Sequence, residues 1–416
     1  MKNTMRKLFA MLLVLVTAAS LLNVPQVQAA GKTEFVCEDL PADRGTLREQ
    51  KIKALVQELA EEEGVKITAC TLRTLKDFAG SEYTLIECEP TGYFILHEES
   101  GSFTEYAPEC DSPYKGLRGD LYYAGPSWYF GKNGSDYKHT IENTMTSLAK
   151  EEDQLALEEY CVALKNSLMS GKNEEIAAYL KDDGTAVGAV RLFGREETDG
   201  SSALSKKNGT RAVNEDPSGS SVVYAYGYCF FTKLKTQSQI GYTDYMVACG
   251  KGCGYVATNL LLRYWHNRGR IQIPLSYINS PVNLTNYLVA IAYELGHNSM
   301  SAGADIMAKI IRRFCTDYGI SPTYVKTKLW INQAQPEICN KRRPCIIGGK
   351  LHTSNESFWH AMVAYGYQQK TNCYVMHMTW SNYAHVFINA SSISQWYYDP
   401  VTHVAGYVPG VVLFYP

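Results

Sequence analysis

The 416-residue chain carries 40 Lys plus Arg against 42 Asp plus Glu, with 45% hydrophobic and 12% aromatic residues, which excludes a disordered, collagen-like or strongly basic protein. Its length points to two or more domains, each able to bury a sizeable core. The small net charge hides a division: residues 31–220 hold 35 acidic against 21 basic residues, net −14, whereas residues 221–416 hold 7 against 16, net +9. The later basic residues are scattered. Their one run, Lys341-Arg342-Arg343, reads as a solvated loop, and with no nucleic-acid motif beside it the chain is expected to bind no nucleic acid.

A basic start (Lys2, Arg6, Lys7), an apolar run from Leu8 to Leu22 and then Val27-Gln28-Ala29 have the three-part pattern of a secretory signal peptide over residues 1–30. The run is shorter than the roughly 20 apolar residues of a spanning helix. The expectation is therefore export, cleavage near Ala29 or Ala30, and no membrane attachment afterwards. All twelve cysteines lie beyond the signal, five up to Cys161 and seven from Cys229 onward. Export would expose them to oxidation, but spacing alone leaves their connectivity open. No Cys-x-x-Cys and no His-Glu-x-x-His occurs, so no metal site is expected.

In the acidic segment 31–198, Leu47, Ile52, Leu55, Val56 and Leu59 recur at helical spacing, predicting an amphipathic helix over residues 45–63. Alternating apolar and polar residues from Ser81 to Tyr106, broken at Pro90-Thr91-Gly92 and Glu99-Ser100-Gly101, predict strands joined by turns. An aromatic stretch from Leu121 to Phe130 precedes a predicted helix over His139–Met169. Residues 199–221 are rich in Gly, Ser, Asn and charge, which makes them a linker. Lys206, Lys207 and Arg211 within it are candidate processing sites.

The remaining segment, 222–416, carries the chemistry. Gly250-Lys251-Gly252-Cys253-Gly254 leads into an apolar stretch in which Ala257, Leu260, Leu261 and Tyr264 recur at helical spacing. Cys253 thus stands at a helix mouth, where the helix dipole favours the reactive thiolate. Its backbone N–H has no intrahelical acceptor and is available to an oxyanion. Downstream, Arg343 to Gly349 reads as a buried strand. A polar loop follows, then a second strand from Trp359 to Tyr367 that His360 begins, and a third from Tyr374 to Trp380. A cysteine at a helix mouth with a histidine at the start of a core strand is the pairing that nucleophilic acyl transfer requires, the imidazole taking the thiol proton and later giving it to the leaving amine.

Gly252-Cys253-Gly254-Tyr255-Val256-Ala257 resembles the Gly-Cys-Gly-Pro-x-Ala signature of bacterial papain-superfamily peptidases, including those that remove double-glycine leaders. Pro344-Cys345-Ile346-Ile347 followed by His360-Ala361-Met362-Val363-Ala364-Tyr365-Gly366-Tyr367 is similar to the apolar strand and His-Ala-Val-Val-x-x-Gly-Tyr of the same group. These motifs span roughly Tyr242 to Asn389. The overall plan, a signal, a long pro-region and a late catalytic domain, resembles the streptopain-type zymogens. The resemblance implies an α+β chain: a papain-like catalytic domain over 222–416, with a helical lobe and an antiparallel sheet lobe, preceded by a smaller α+β pro-like domain that docks on it through opposed charge. The docking itself is read from the opposed charges of −14 and +9, and an independent binding or cell-surface domain stays open for the acidic half; the resemblance implies a secreted cysteine peptidase with catalytic Cys253 and His360, a protein or peptide substrate, and no cofactor. Three positions depart from the family pattern: Tyr255 replaces the usual proline, Val247 and its neighbours hold no oxyanion-hole glutamine, and Met378 occupies the slot of the third catalytic residue. Asn382, Thr379 or a backbone carbonyl remain as partners for the histidine. Another acyl transfer, as in an amidase or transpeptidase, and a non-catalytic binding protein on the same fold stay open beside the peptidase reading.

Overall fold

The computed structural model describes residues 46–134, 136–141, 145–146, 151–181, 222–249, 251–328, 330–352, 357–393 and 410–416. The signal segment 1–30 and the linker 199–221 lie outside the described residues. Gly45–Pro416 forms one compact unit. The fold is α+β, with helices packed on a mixed sheet.

The first helix, Leu47–Glu62, matches the predicted spacing. Thr46 caps it with a box in which its side chain accepts from the Glu49 N–H while Glu49 reaches back to the Thr46 N–H. Ile52, Leu55, Val56 and Leu59 face the core, each worth about 1.5–3 kcal/mol on burial. Eight strands follow: β1 (Ala69–Lys76), β2 (Glu82–Glu89), β3 (Tyr93–His97), β4 (Ser102–Ala107), β5 (Leu121–Tyr123), β6 (Tyr129–Asn133), β7 (Asp136–His139) and β8 (Met145–Thr146). The turns at 90–92 and 99–101 fall where the sequence predicts. The helix expected from His139 starts later, at Glu151, and runs to Ser170. His139, the expected start, instead closes β7 opposite Phe130, its ring edge-on to Phe130 and Trp128.

The second half adds β9 (Val222–Tyr224), a series of helices including Cys253–Asn267, Pro281–Glu294 and Ala304–Asp317, and then β10 (Tyr324–Lys328), β11 (Cys345–His352), β12 (Ser357–Gln368), β13 (Cys373–His377), β14 (Val386–Asn389) and β15 (Gly410–Tyr415). All described strands join one sheet in the order β10-β15-β11-β12-β13-β14-β4-β3-β2-β1-β5-β6-β7-β8, with β9 on β12. The halves meet where β14 pairs with β4, Phe387 opposite Tyr106. Those two rings stack at 4.5 Å. Alternation along each strand divides the core. Ala361, Val363, Tyr365 and Phe387 face the helices, while Met362, Ala364, Met376 and Ile388 face the opposite side. The basic run expected to be solvated is engaged: Lys341 pairs with Glu337 at 2.8 Å, Arg342 donates to the Tyr224 carbonyl, and Arg343 lies 3.5 Å over the Tyr415 ring.

Candidate active site

Cys253 opens its helix as the sequence predicts, with Gly252 as N-cap at φ +118°, a conformation that a side chain makes costly. A Cβ on Gly252 would also fall 2.6 Å from Met246 Sδ, and one on Gly254 would fall 2.3 Å from the Ala302 carbonyl oxygen. The left-handed turn thus calls for glycine at 252, and packing against the Ala302 backbone calls for it at 254. The Tyr255 hydroxyl donates to the Ser299 carbonyl at 2.7 Å, tying down the same loop that Gly254 admits. Cys253 is 6% exposed and belongs to the helix-side core with Ala361 and Val363. Val247, in the upstream slot, is exposed on its own short helix Asp244–Cys249. It offers no side-chain donor.

His360 stands fourth in β12 rather than first, because the hairpin with β11 extends out to the pair His352 and Ser357. It is 4% exposed and lies flat on Trp380, ring centroids 4.0 Å apart. Its Nε2 meets the Met378 carbonyl oxygen at 2.7 Å. A carbonyl only accepts, so Nε2 carries the proton and Nδ1 holds the lone pair. Burial holds the imidazole neutral, its pKa down to about 3, against the raising effect of the Met378 carbonyl, with His139 nearby lowering it further. Nδ1 is buried, with no hydrogen-bond partner among the described residues. The hydrogen bond of an assembled Cys253–His360 dyad is accordingly not made: the cysteine packs with the helix-side core, and the imidazole lies with Trp380, a residue of the opposite core.

The third position is filled by backbone. Strand β13 ends at His377, short of the predicted Trp380, and the chain turns through Thr379 at φ +59° and Asn382 at φ +68°. A β-branched residue at positive φ is strained. Two hydrogen bonds hold it there, the Thr379 N–H donating to His377 Nδ1 at 2.9 Å and Thr379 Oγ1 donating to the Ala361 carbonyl at 2.9 Å. His377 is anchored in turn, its Nε2 on the Leu234 carbonyl at 2.8 Å. This turn aims the Met378 carbonyl at His360 while the Met378 side chain is fully buried in the opposite core. Asn382 is exposed and its N–H bonds the Lys235 carbonyl; Thr379 serves Ala361. Of the three partners open at the sequence level, the backbone carbonyl is the one in place.

The β6–β7 hairpin of the acidic half covers this pocket. His139 and Tyr129 pack on Trp380, with ring centroids 5.9 and 6.3 Å away, while the Ser127 hydroxyl touches Met362 Sδ at 3.9 Å. His139 Nε2 donates to the Ser127 carbonyl at 2.8 Å, and burial lowers its pKa to about 4. Neither Trp380 nor His139 was singled out from sequence. An aromatic two residues past the Met378 slot was the available signal for Trp380; for His139 there was none, since only the long-range fold brings it here. A cavity of about 360 Å³ lies elsewhere, between Gly101–Phe103, Gly171–Glu174 and Lys370–Asn372. Among the described residues no helix is long and apolar enough to cross a membrane, and no three His, Cys, Asp or Glu are grouped to hold a metal.

No family model matches the sequence, and no curated protein matches it. Among solved structures the chain is similar to a fragment of prointerpain A from Prevotella intermedia carrying a cysteine-to-alanine substitution. The identity is 13% and the TM-score 0.37, covering 83% of this chain and 98% of that one. A likeness of that strength assigns neither activity nor site.

Proposed function

We propose that the chain is a secreted cysteine peptidase made as a zymogen, with Cys253 as nucleophile and His360 as acid and base. The observation that carries this reading is the state of His360: one ring nitrogen is fixed as a donor by the Met378 carbonyl, and the other is a buried lone pair without a partner. Buried polar atoms are rarely left so, and an acceptor for the thiol proton, brought to Cys253 only when the chain rearranges after cleavage, accounts for it. In the working enzyme Nδ1 takes the Cys253 proton and the thiolate attacks the peptide carbonyl carbon. N–H groups at the helix mouth face the oxyanion. Nδ1–H then protonates the leaving amine, and water hydrolyses the thioester by the same route. The Met378 carbonyl keeps the tautomer and stabilises the imidazolium without supplying a negative charge.

In this reading the acidic half is the pro-region, supported by its β6–β7 hairpin walling in His360 and Trp380 and by the pairing of its strand β4 with β14. The 31–198 segment, the processing linker 199–221 and the peptidase segment 222–416 are the corresponding division of the chain, with export through residues 1–30. Hydrolysis of an unfolded protein by the full chain, before and after limited cleavage within 199–221, tests the proposal. Wild type should gain activity on cleavage and Cys253→Ala should stay inactive; equal hydrolysis by both ends the claim.

A second reading is favoured by the same unpaired Nδ1 and the buried Cys253, namely a papain-like binding protein that never assembles the dyad. Lack of turnover together with no selective alkylation of Cys253 after cleavage would decide for it. Transfer of the acyl group to an added amine in preference to water would decide for an amidase or transpeptidase instead.

A further inference from the structure

Cys70 and Cys88 are direct cross-strand partners in the β1–β2 ladder, with their sulfurs 3.3 Å apart. Directly opposed residues on antiparallel strands have Cα atoms about 4.5–5.5 Å apart, inside the roughly 4.4–6.8 Å window of a disulfide. Side-chain rotation that brings the sulfurs from 3.3 Å to about 2.05 Å would close the bond. From this geometry we propose that Cys70 and Cys88 form a structural disulfide by exchange with a low-molecular-weight disulfide such as glutathione disulfide, a modification independent of whether Cys253 is a nucleophile.

The two thiols are unequal in a way that orders the exchange. Cys88 is 7% exposed and packed in the helix-side core, and its hydrogen bond with Cys70 and its burial push its pKa up. Cys70 is half-buried, and its hydrogen bond with Cys88, with a smaller contribution from the Lys53 ammonium, draws its pKa down. Cys70 thus supplies the thiolate. It attacks one sulfur of glutathione disulfide, forming a Cys70–glutathione mixed disulfide and expelling one glutathione thiolate. Cys88 then loses its proton and attacks the Cys70 sulfur, expelling the second glutathione. Two protein thiols are oxidised and one glutathione disulfide is reduced to two glutathiones. The link would pin β1, whose other neighbour, β5, meets it at the single pair Lys76 and Tyr122, to a strand 18 positions away in the chain.

The test is peptide mapping by mass spectrometry of the full chain after equilibration with glutathione disulfide, alkylation of the remaining thiols and digestion without reductant. A Cys70–Cys88 linked peptide is expected. Cys88→Ser should leave Cys70 carrying glutathione, its resolving thiol gone, and Cys110→Ser should keep the Cys70–Cys88 link. Recovery of Cys70 and Cys88 as alkylated thiols in the wild type, or Cys70 linked to any other cysteine, overturns the proposal. Should Cys88→Ser fail to fold, the wild-type map decides by itself, and a thermal midpoint a few degrees higher in the oxidised chain, lost on reduction, is the accompanying readout.

Discussion

Acidification should loosen this structure, and buried histidines set the size of the effect. Burial lowers the pKa of His360 to about 3 and those of His139 and His377 to about 4. Above the ordinary histidine value of about 6.5 both folded and unfolded chains leave these rings neutral. Between that value and the folded pKa only the unfolded chain takes the proton, so stability falls as pH drops through the window. By linkage each ring costs roughly 3 kcal/mol at pH 4.5 relative to pH 7.5. Glu105 opposes them. It is fully buried on β4 with Tyr93 and Tyr129 donating to it, and burial raises its pKa to about 7 against those hydroxyls and Tyr123. A raised carboxylate pKa means that stability is lost as pH rises from about 4.5 to 7, so acidification returns about 3 kcal/mol at this one site. The net loss of about 5–6 kcal/mol corresponds to a fall in thermal midpoint of about 7 °C for a chain of this size. Midpoints measured at pH 7.5 and 4.5 check it, with His139→Gln, which keeps a donor for the Ser127 carbonyl, removing about a third of the histidine contribution. An unchanged midpoint, or a higher one at pH 4.5, would refute the reasoning.

Glu105→Gln removes the opposing carboxylate while leaving acceptors for the tyrosine hydroxyls, and should raise stability by about 3 kcal/mol at pH 8 with no gain at pH 4, as read by urea unfolding. Met378→Leu keeps the carbonyl and the packed volume and should cost under about 1.5 kcal/mol. Met378→Asp places a carboxylate in the fully buried side-chain site and should cost several kcal/mol with no gain in turnover, because the contact with His360 is made by backbone. Gly254→Ala drives a Cβ to 2.3 Å from the Ala302 oxygen; a loss of about 1–3 kcal/mol is expected, measurable by thermal unfolding.

The helix at Cys253 was legible because Ala257, Leu260, Leu261 and Tyr264 keep its period, and β2 to β4 because turn residues punctuate an alternating pattern. Two shifts in extent have local causes. His360 moves inside its strand because the β11–β12 hairpin continues through residues that look like loop, and β13 stops early because His377 captures the Thr379 N–H. The third partner of His360 had no side-chain signature to find, since a backbone carbonyl accompanies every residue; only the left-handed Thr379 reveals how it is aimed. Nor does any local pattern predict that β14 pairs with β4, joining Phe387 to Tyr106 and bringing His139 over Trp380. The described seam between the halves is a strand ladder with stacked rings, edged by the Gln368 amide donating to Glu62 at 2.9 Å and by the Lys235–Glu109 ion pair at 3.7 Å.

The alkylation rate of Cys253 by iodoacetamide, read site by site by mass spectrometry before and after cleavage within 199–221, tests the central claim most directly. A buried thiol should react slowly in the full chain; on cleavage the rate at Cys253 alone should rise at least about tenfold, as expected for conversion to thiolate, and His360→Gln should abolish the rise. A rate at Cys253 that stays slow after cleavage, or rises equally in His360→Gln, would contradict a latent Cys253–His360 site.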